Sequence, residues 1–288
     1  MARCRHGLLH VAAACLLTSA STALPQSPMP EGAPLTWVQA ATDNEVSIIA
    51  AEGTLPISYR QRKIDARGDT MREIVESKDG SVARLIERNG QPITAAEDTA
   101  ERGRLTDLLG TPDAFVHHHR HDASSRDMAI QLIKLLPQAM VYAYTPGQPQ
   151  PHGVEGQQIV IDYKPDPGFH PPSMAADLLT GIQGRVWIDQ RARRVTRMEA
   201  HILHPVNFGY GMIAKIFSGG TVEFEQVNAL GDRWLFHHME EHLTVRELMV
   251  KTVPQNNEMT SFDFHALPAL LPYQDAIKLL LAMQLPVH

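Results

Sequence analysis

Short alternating segments separated by tight turns occupy two long stretches of this chain, and sheets built that way are antiparallel. In the first, Ile57 to Asp65, Thr70 to Ser77 and Ser81 to Arg88 read as strands, parted by Arg67-Gly68-Asp69 and Lys78-Asp79-Gly80 and closed by Asn89-Gly90. An Asn-Gly pair accepts the positive φ angles of a two-residue hairpin at low cost. In the second, Gln138 to Tyr144, Gln157 to Tyr163, Gly184 to Ile188, Val195 to Leu203, Thr221 to Val227 and Arg233 to Val245 read the same way, with Ser261 to Phe264 as a last strand. Helical spacing surrounds them. Leu35 to Ala51 reads as one broken or two short helices, and Ala95 to Gly110 as another. Thr111-Pro112 and then Ser124 with Asp127 are start signals for an apolar helix stopped by Pro137. Ser173 to Leu179 is a short helix and Tyr273 to Met283 a terminal one. This order has no strand–helix–strand alternation. The expected fold is therefore α+β, a curved antiparallel sheet forming a half-open β-barrel with helices covering the concave side. Residues 24–54 are a lead-in and helix, 55–265 the sheet with a helical insertion at about 94–137, and 266–288 a C-terminal helix.

The first 23 residues read differently. Arg3, Arg5 and His6 precede an apolar run from Leu8 to Leu17, and Ser21 and Ala23 suit the −3 and −1 positions of a signal-peptidase site. The run is too short to span a bilayer, so residues 1–23 are expected to be an export signal. The alternative is a lipoprotein signal cut before Cys15. The chain has two cysteines, Cys4 and Cys15, both within that segment. With cleavage after Ala23, no disulfide is available and the core alone holds the fold. The 288 residues carry 26 Lys and Arg against 32 Asp and Glu, a net charge of −6, which disfavours nucleic acid as a partner. No later stretch is apolar enough to anchor the chain, so the expectation is a soluble exported protein, periplasmic, membrane-adjacent but not spanning.

Motifs with chemistry are few. His238-Met239-Glu240-Glu241-His242 matches the H-x-x-E-H pattern of a zinc peptidase, which needs both histidines on one helical turn. Its surroundings read as strand, where residues four apart lie about 13–14 Å apart and cannot share an ion. If the run from His117 to His121 is helical, Asp113, His117 and His121 line one face and are weak candidates for a divalent ion; a polar surface helix is the plainer reading. Gly209-Tyr210-Gly211-Met212-Ile213-Ala214 fits a loose dinucleotide pattern without the strand–helix frame it requires. No catalytic set assembles from spacing, and no cofactor is expected.

The apolar pattern is more consistent. Ile159, Ile161 and Tyr163 share one strand face, Met198, Ala200 and Ile202 another, and Val222 and Phe224 a third. These faces form a core, line a trough crossed by the helix from Arg126 to Leu136, or do both.

Gly184-Arg185-Val186-Trp187-Ile188-Asp189 followed by Val195-Thr196-Arg197-Met198-Glu199 resembles a hairpin of the periplasmic lipoprotein-carrier (LolA-like) family, in particular exported proteins of acidobacterial type. Pro205 to Gly209, Gly219 to Gln226, Gly231 to Leu235 and Arg84 to Pro92 extend the resemblance over most of residues 55–250. It implies an unclosed barrel over helices and a cavity for acyl chains or lipidated partners. It carries no catalytic residue across. On that basis the expected function is non-enzymatic binding of a hydrophobic ligand, a lipid or lipidated protein, with Ile159, Ile161, Tyr163, Met198, Ile202, Val222 and Phe224 as lining. The alternatives are an envelope sensor or adaptor of the same fold and a metal-dependent hydrolase using the histidine clusters.

Overall fold

The structure, a computed structural model, describes residues 30–51, 55–208, 214–231, 233–247 and 251–285, and gives the backbone alone for 112–124, 208 and 247. Helix α1, Pro34–Ala51, is continuous. No break divides it, and its buried side includes the polar Thr42 and Glu45 beside Trp37, Val38 and Ala41. Strands β1 (Ile57–Asp65), β2 (Gly68–Val75) and β3 (Val82–Arg88) form the expected meander, and β4 (Gln91–Pro92) adds a two-residue edge. Asn89 and Gly90 take φ of 51° and 71° in the tight turn before it.

Helix α2 spans Ala95–Gly110 and opens on a capping box. The Thr94 hydroxyl accepts from the Glu97 backbone N–H while the Glu97 carboxylate accepts from Thr94, so two otherwise orphaned donors are satisfied reciprocally. Helix α3 runs unbroken over Pro112–Ala139. Ser124 starts nothing, and Pro137 sits inside the last turn rather than ahead of it. Its ring removes one backbone bond, and the packing of Leu132, Leu135 and Leu136 offsets that loss.

The remaining strands are β5 (Met140–Tyr144), β6 (Gln158–Pro165), β7 (Ile182–Asp189), β8 (Val195–Ile202), β9 (Val206–Phe208), β10 (Ala214–Ile216), β11 (Thr221–Ala229), β12 (Arg233–Glu247) and β13 (Lys251–Ala266), with a 3-10 turn at Ala175–Thr180 and helix α4 at Tyr273–Ala282. Strand β13 is far longer than the four residues expected. Its first half, rich in Asn and Gln and containing Pro254, has low strand propensity but pairs with β12. Pro254 lies before the stretch that pairs with β1, which reaches only to Glu258, so its missing N–H leaves no ladder bond unmade.

The thirteen described strands make one antiparallel sheet, not closed into a barrel, in the order β4-β3-β2-β1-β13-β12-β11-β8-β7-β6-β5, with β9 and β10 beside β12. The chain walks from β1 out to one edge, crosses to the opposite edge through α2 and α3, and walks back until β13 pairs with β1.

The strand registers separate two faces. Ile161, Val186, Met198, Phe224, Met239, Met259 and Lys63 are successive cross-strand partners on one face, and Val160, Trp187, Arg197, Glu225, His238, Thr260 and Arg62 on the other. On the first face, α1 and the C-terminal half of α3 close a core over β5 to β8, with Trp37, Val38 and Ala41 against Ile159, Ile161, Tyr163, Val186 and Ile188. On the second face, at the other end, α2 and α4 pack Leu105, Tyr273, Ile277 and Leu280 onto Val75 and Val82. Only α1 and α3 therefore lie on the side expected to be concave.

Candidate functional site

The first face carries one uninterrupted apolar line. Ile161 and Val186 are opposite each other, and Val186 meets Met198, Met198 meets Phe224, Phe224 meets Met239 and Met239 meets Met259. The line ends at Lys63 on β1, opposite Met259. Its β6–β7 end is sealed, with Ile161 fully buried and Val186 at 8% exposure under the helices. From Met198 to Met259 it is only half-buried. Phe236 widens the stripe, its ring 5.9 Å from that of Phe224. Polar neighbours bound it: Asn257 donates to Glu241 on one side, and Gln61 donates to Ser261 on the other. Four strand spacings of about 4.8 Å separate Met198 from Lys63, roughly 19 Å in all.

The expected lining residues divide between these two environments. Ile159, Ile161, Tyr163 and Ile202 are buried at 2%, 0%, 7% and 5% exposure. Ile159, Ile161 and Tyr163 touch helix side chains, so that part of the wall is packed core. Met198, Val222 and Phe224 lie on the half-buried stretch. Phe236, Met239, Met259 and Lys63 were not anticipated, because only the pairing of β12, β13 and β1 brings them into line. Tyr163 shows how tightly the sealed end is built. Its hydroxyl lies across β7 and donates to the Glu199 carbonyl at 2.9 Å. A Cβ on Gly184 would stand 1.8 Å from that carbonyl oxygen and 2.8 Å from the Tyr163 hydroxyl, so only glycine fits. Burial raises the phenol pKa values of Tyr163 and Tyr142.

Glu45 fastens α1 to this wall. Its carboxylate accepts from the Val195 backbone N–H at 3.0 Å and from the Gln226 side chain at 2.6 Å. Burial raises its pKa, against the hydrogen bonds from Gln226 and Val195 and the charge of Arg194, which lower it. Asn44 donates to the Arg193 carbonyl, and the Arg193 guanidinium lies 3.3 Å over the Trp37 ring.

The opposite face is charged. Glu199, Glu223, Glu240 and Glu258 are consecutive cross-strand partners on β8, β11, β12 and β13. Arg197 bridges Glu199 at 2.9 Å and Glu223 at 2.7 Å and also pairs with Glu225. Partial burial, joined by Glu225 and Glu199, still raises the pKa of Glu223 despite Arg197. A groove of about 580 Å³ is on this face beside β5, lined by Val141, Ala143, Asp162, Lys164, Arg185 and Glu199 among others. A second, about 470 Å³, adjoins the end of α3 at Leu135, Gln138, Asp166, Phe169 and His170. Neither coincides with the apolar line.

The histidine motif adopts strand geometry. His238 and His242 lie on β12 and bond separately to Thr260 and Asn256, at 3.0 and 3.1 Å. A shared ion is out of their reach, so the helical peptidase arrangement is absent. Hydrogen bonds to Asn256 and Glu240 raise the pKa of His242. Asp113, His117 and His121 fall on α3, but their side chains lie outside the described residues, as does the Gly209 to Ile213 segment. Among the described residues no group of three or more His, Cys, Asp and Glu could hold a metal. No described helix is long and apolar enough to cross a membrane. No family model, curated protein or solved structure matches this chain.

Proposed function

We propose that this is a non-enzymatic exported binding protein for a hydrophobic ligand, a lipid or the acyl chain of a lipidated protein, and that its open sheet is a half-barrel of the lipoprotein-carrier type. The observation that carries the reading is the apolar line from Met198 through Phe224 and Met239 to Met259, half-buried, continuous with a sealed core at one end and ending in Lys63 at the other. An extended chain of roughly sixteen carbons matches its ~19 Å length. Burying such a chain contributes about 12 kcal/mol gross at ~0.8 kcal/mol per CH₂. Association costs of several kcal/mol leave micromolar affinity or better. Lys63, 3.3 Å from Asp65, can turn its ammonium to an anionic head group at the mouth of the line.

Native mass spectrometry and solvent extraction of the purified chain test this. Co-purified lipid, with uptake of a fluorescent fatty acid, supports the reading; bare protein that takes up no fatty acid overturns it. Phe224→Asp is expected to weaken uptake at least tenfold. Lys63→Gln is expected to weaken binding of a fatty acid but not of the corresponding alcohol.

A further inference from the structure

The two ends of the sheet are finished differently. At one, β4 is two residues long and includes Pro92, a short blunted edge. At the other, β5 is Met140-Val141-Tyr142-Ala143-Tyr144, with no charge, no proline and no bulge against β6. Its backbone can be accounted for residue by residue. Thr145 donates to the Val160 carbonyl, so alternate residues 143 and 141 face β6, and Tyr142 and Tyr144 turn their N–H and C=O groups outward. Among the described residues nothing pairs with those outward groups. Val141 is 42% exposed and Ala143 is exposed as well, an apolar rim beside an open strand.

We infer that β5 is a self-association edge, pairing antiparallel with β5 of a second copy about a two-fold axis at Tyr142, so that two sheets become one. The strand is self-complementary under that operation. Tyr142 meets Tyr142, with reciprocal N–H to C=O bonds; Met140 meets Tyr144; and Val141 meets Ala143. No like charges are opposed. The nearest charges along the Val141–Ala143 line are Lys164 of one copy and Asp162 of the other, of opposite sign, because these residues flank Val141 and Ala143 in the register of β5 with β6. A free peptide would satisfy the same backbone groups, but the symmetric apolar matching favours a second copy. A five-residue ladder buries less than a standard interface, so the dimer is of micromolar affinity.

Sedimentation of the chain from Leu24 onward, over about 1 to 200 µM, tests the inference, with hydrogen exchange as a second readout. The expected result is a reversible monomer–dimer equilibrium, and protection of the Tyr142 and Tyr144 amides that grows with concentration. Val141→Lys and Ala143→Lys, both at exposed side chains, are expected to weaken the dimer at least tenfold with an unchanged circular dichroism spectrum. A monomer across the whole range overturns the inference. So does a dimer insensitive to both lysines, or protection of those amides independent of concentration.

Discussion

Glu45 is a buried carboxylate whose pKa lies above its ordinary value of 4.5, mainly because burial disfavours its charge. For an acid raised in the folded state, the unfolded chain ionises first. Its contribution to stability is full below about pH 4.5 and is lost as pH rises through the folded value. Glu45→Gln keeps an acceptor for the Val195 N–H and removes the charge. The variant should show a flatter stability profile across that window and stay within about 1 kcal/mol of the parent at low pH, by urea unfolding at several pH values. Arg197 is the opposite case, a cation shared by three glutamates on a half-buried strand face. Arg197→Gln should cost about 1–3 kcal/mol, and adding Glu223→Gln should restore part of it, a coupling that a double-mutant cycle measures directly. Neither role was legible in the sequence. Glu45 carries no signal that sets it apart from a solvated helix residue, and the glutamate ladder needs the register of four strands to become visible.

At the scale of elements the sequence was most informative where the signal is local. The hairpin at Asn89-Gly90, strands β1 to β3 and helices α2 and α4 follow from turn chemistry and periodicity. Pro137 and Ser124 misled because tertiary packing carries α3 through both, and β13 was underread because its polar first half forms strand only by pairing with β12. Arg84 fixes how the elements at the far end meet. Its side chain is 1% exposed, bonds Asp98 of α2 at 2.7 Å and donates to the Leu280 and Met283 carbonyls at the end of α4. A guanidinium there adds a second donor to the Leu280 carbonyl, which also accepts from the Met283 N–H, bonds the Met283 carbonyl, and suits the helix's negative end. Arg84→Met should therefore cost about 2–3 kcal/mol and raise exchange of the α4 amides first, leaving those of β6 and β7 unchanged. Equal loosening of both ends would show that the two helical layers are not separate.

For the whole molecule, one sheet serves two purposes by using opposite faces. At one end α2 and α4 seal the charged face; at the other α1 and α3 close the apolar core over β5 to β8, and α1 reaches β11 through the Glu45–Gln226 hydrogen bond. The seven apolar positions read from the sequence lie on one face of the sheet, where helix side chains cover Ile159, Ile161 and Tyr163. The open part runs on to Met239 and Met259, which spacing alone could not align. The proposed function requires that open part to receive a guest. Photocrosslinking with a diazirine-labelled fatty acid, followed by peptide mapping, asks where the chain lies. Label is expected on β11, β12 and β13, at Phe224, Met239 and Met259, competed away by unlabelled fatty acid. Label confined to the charged face or to the groove beside β5, or no competable label at all, would contradict it.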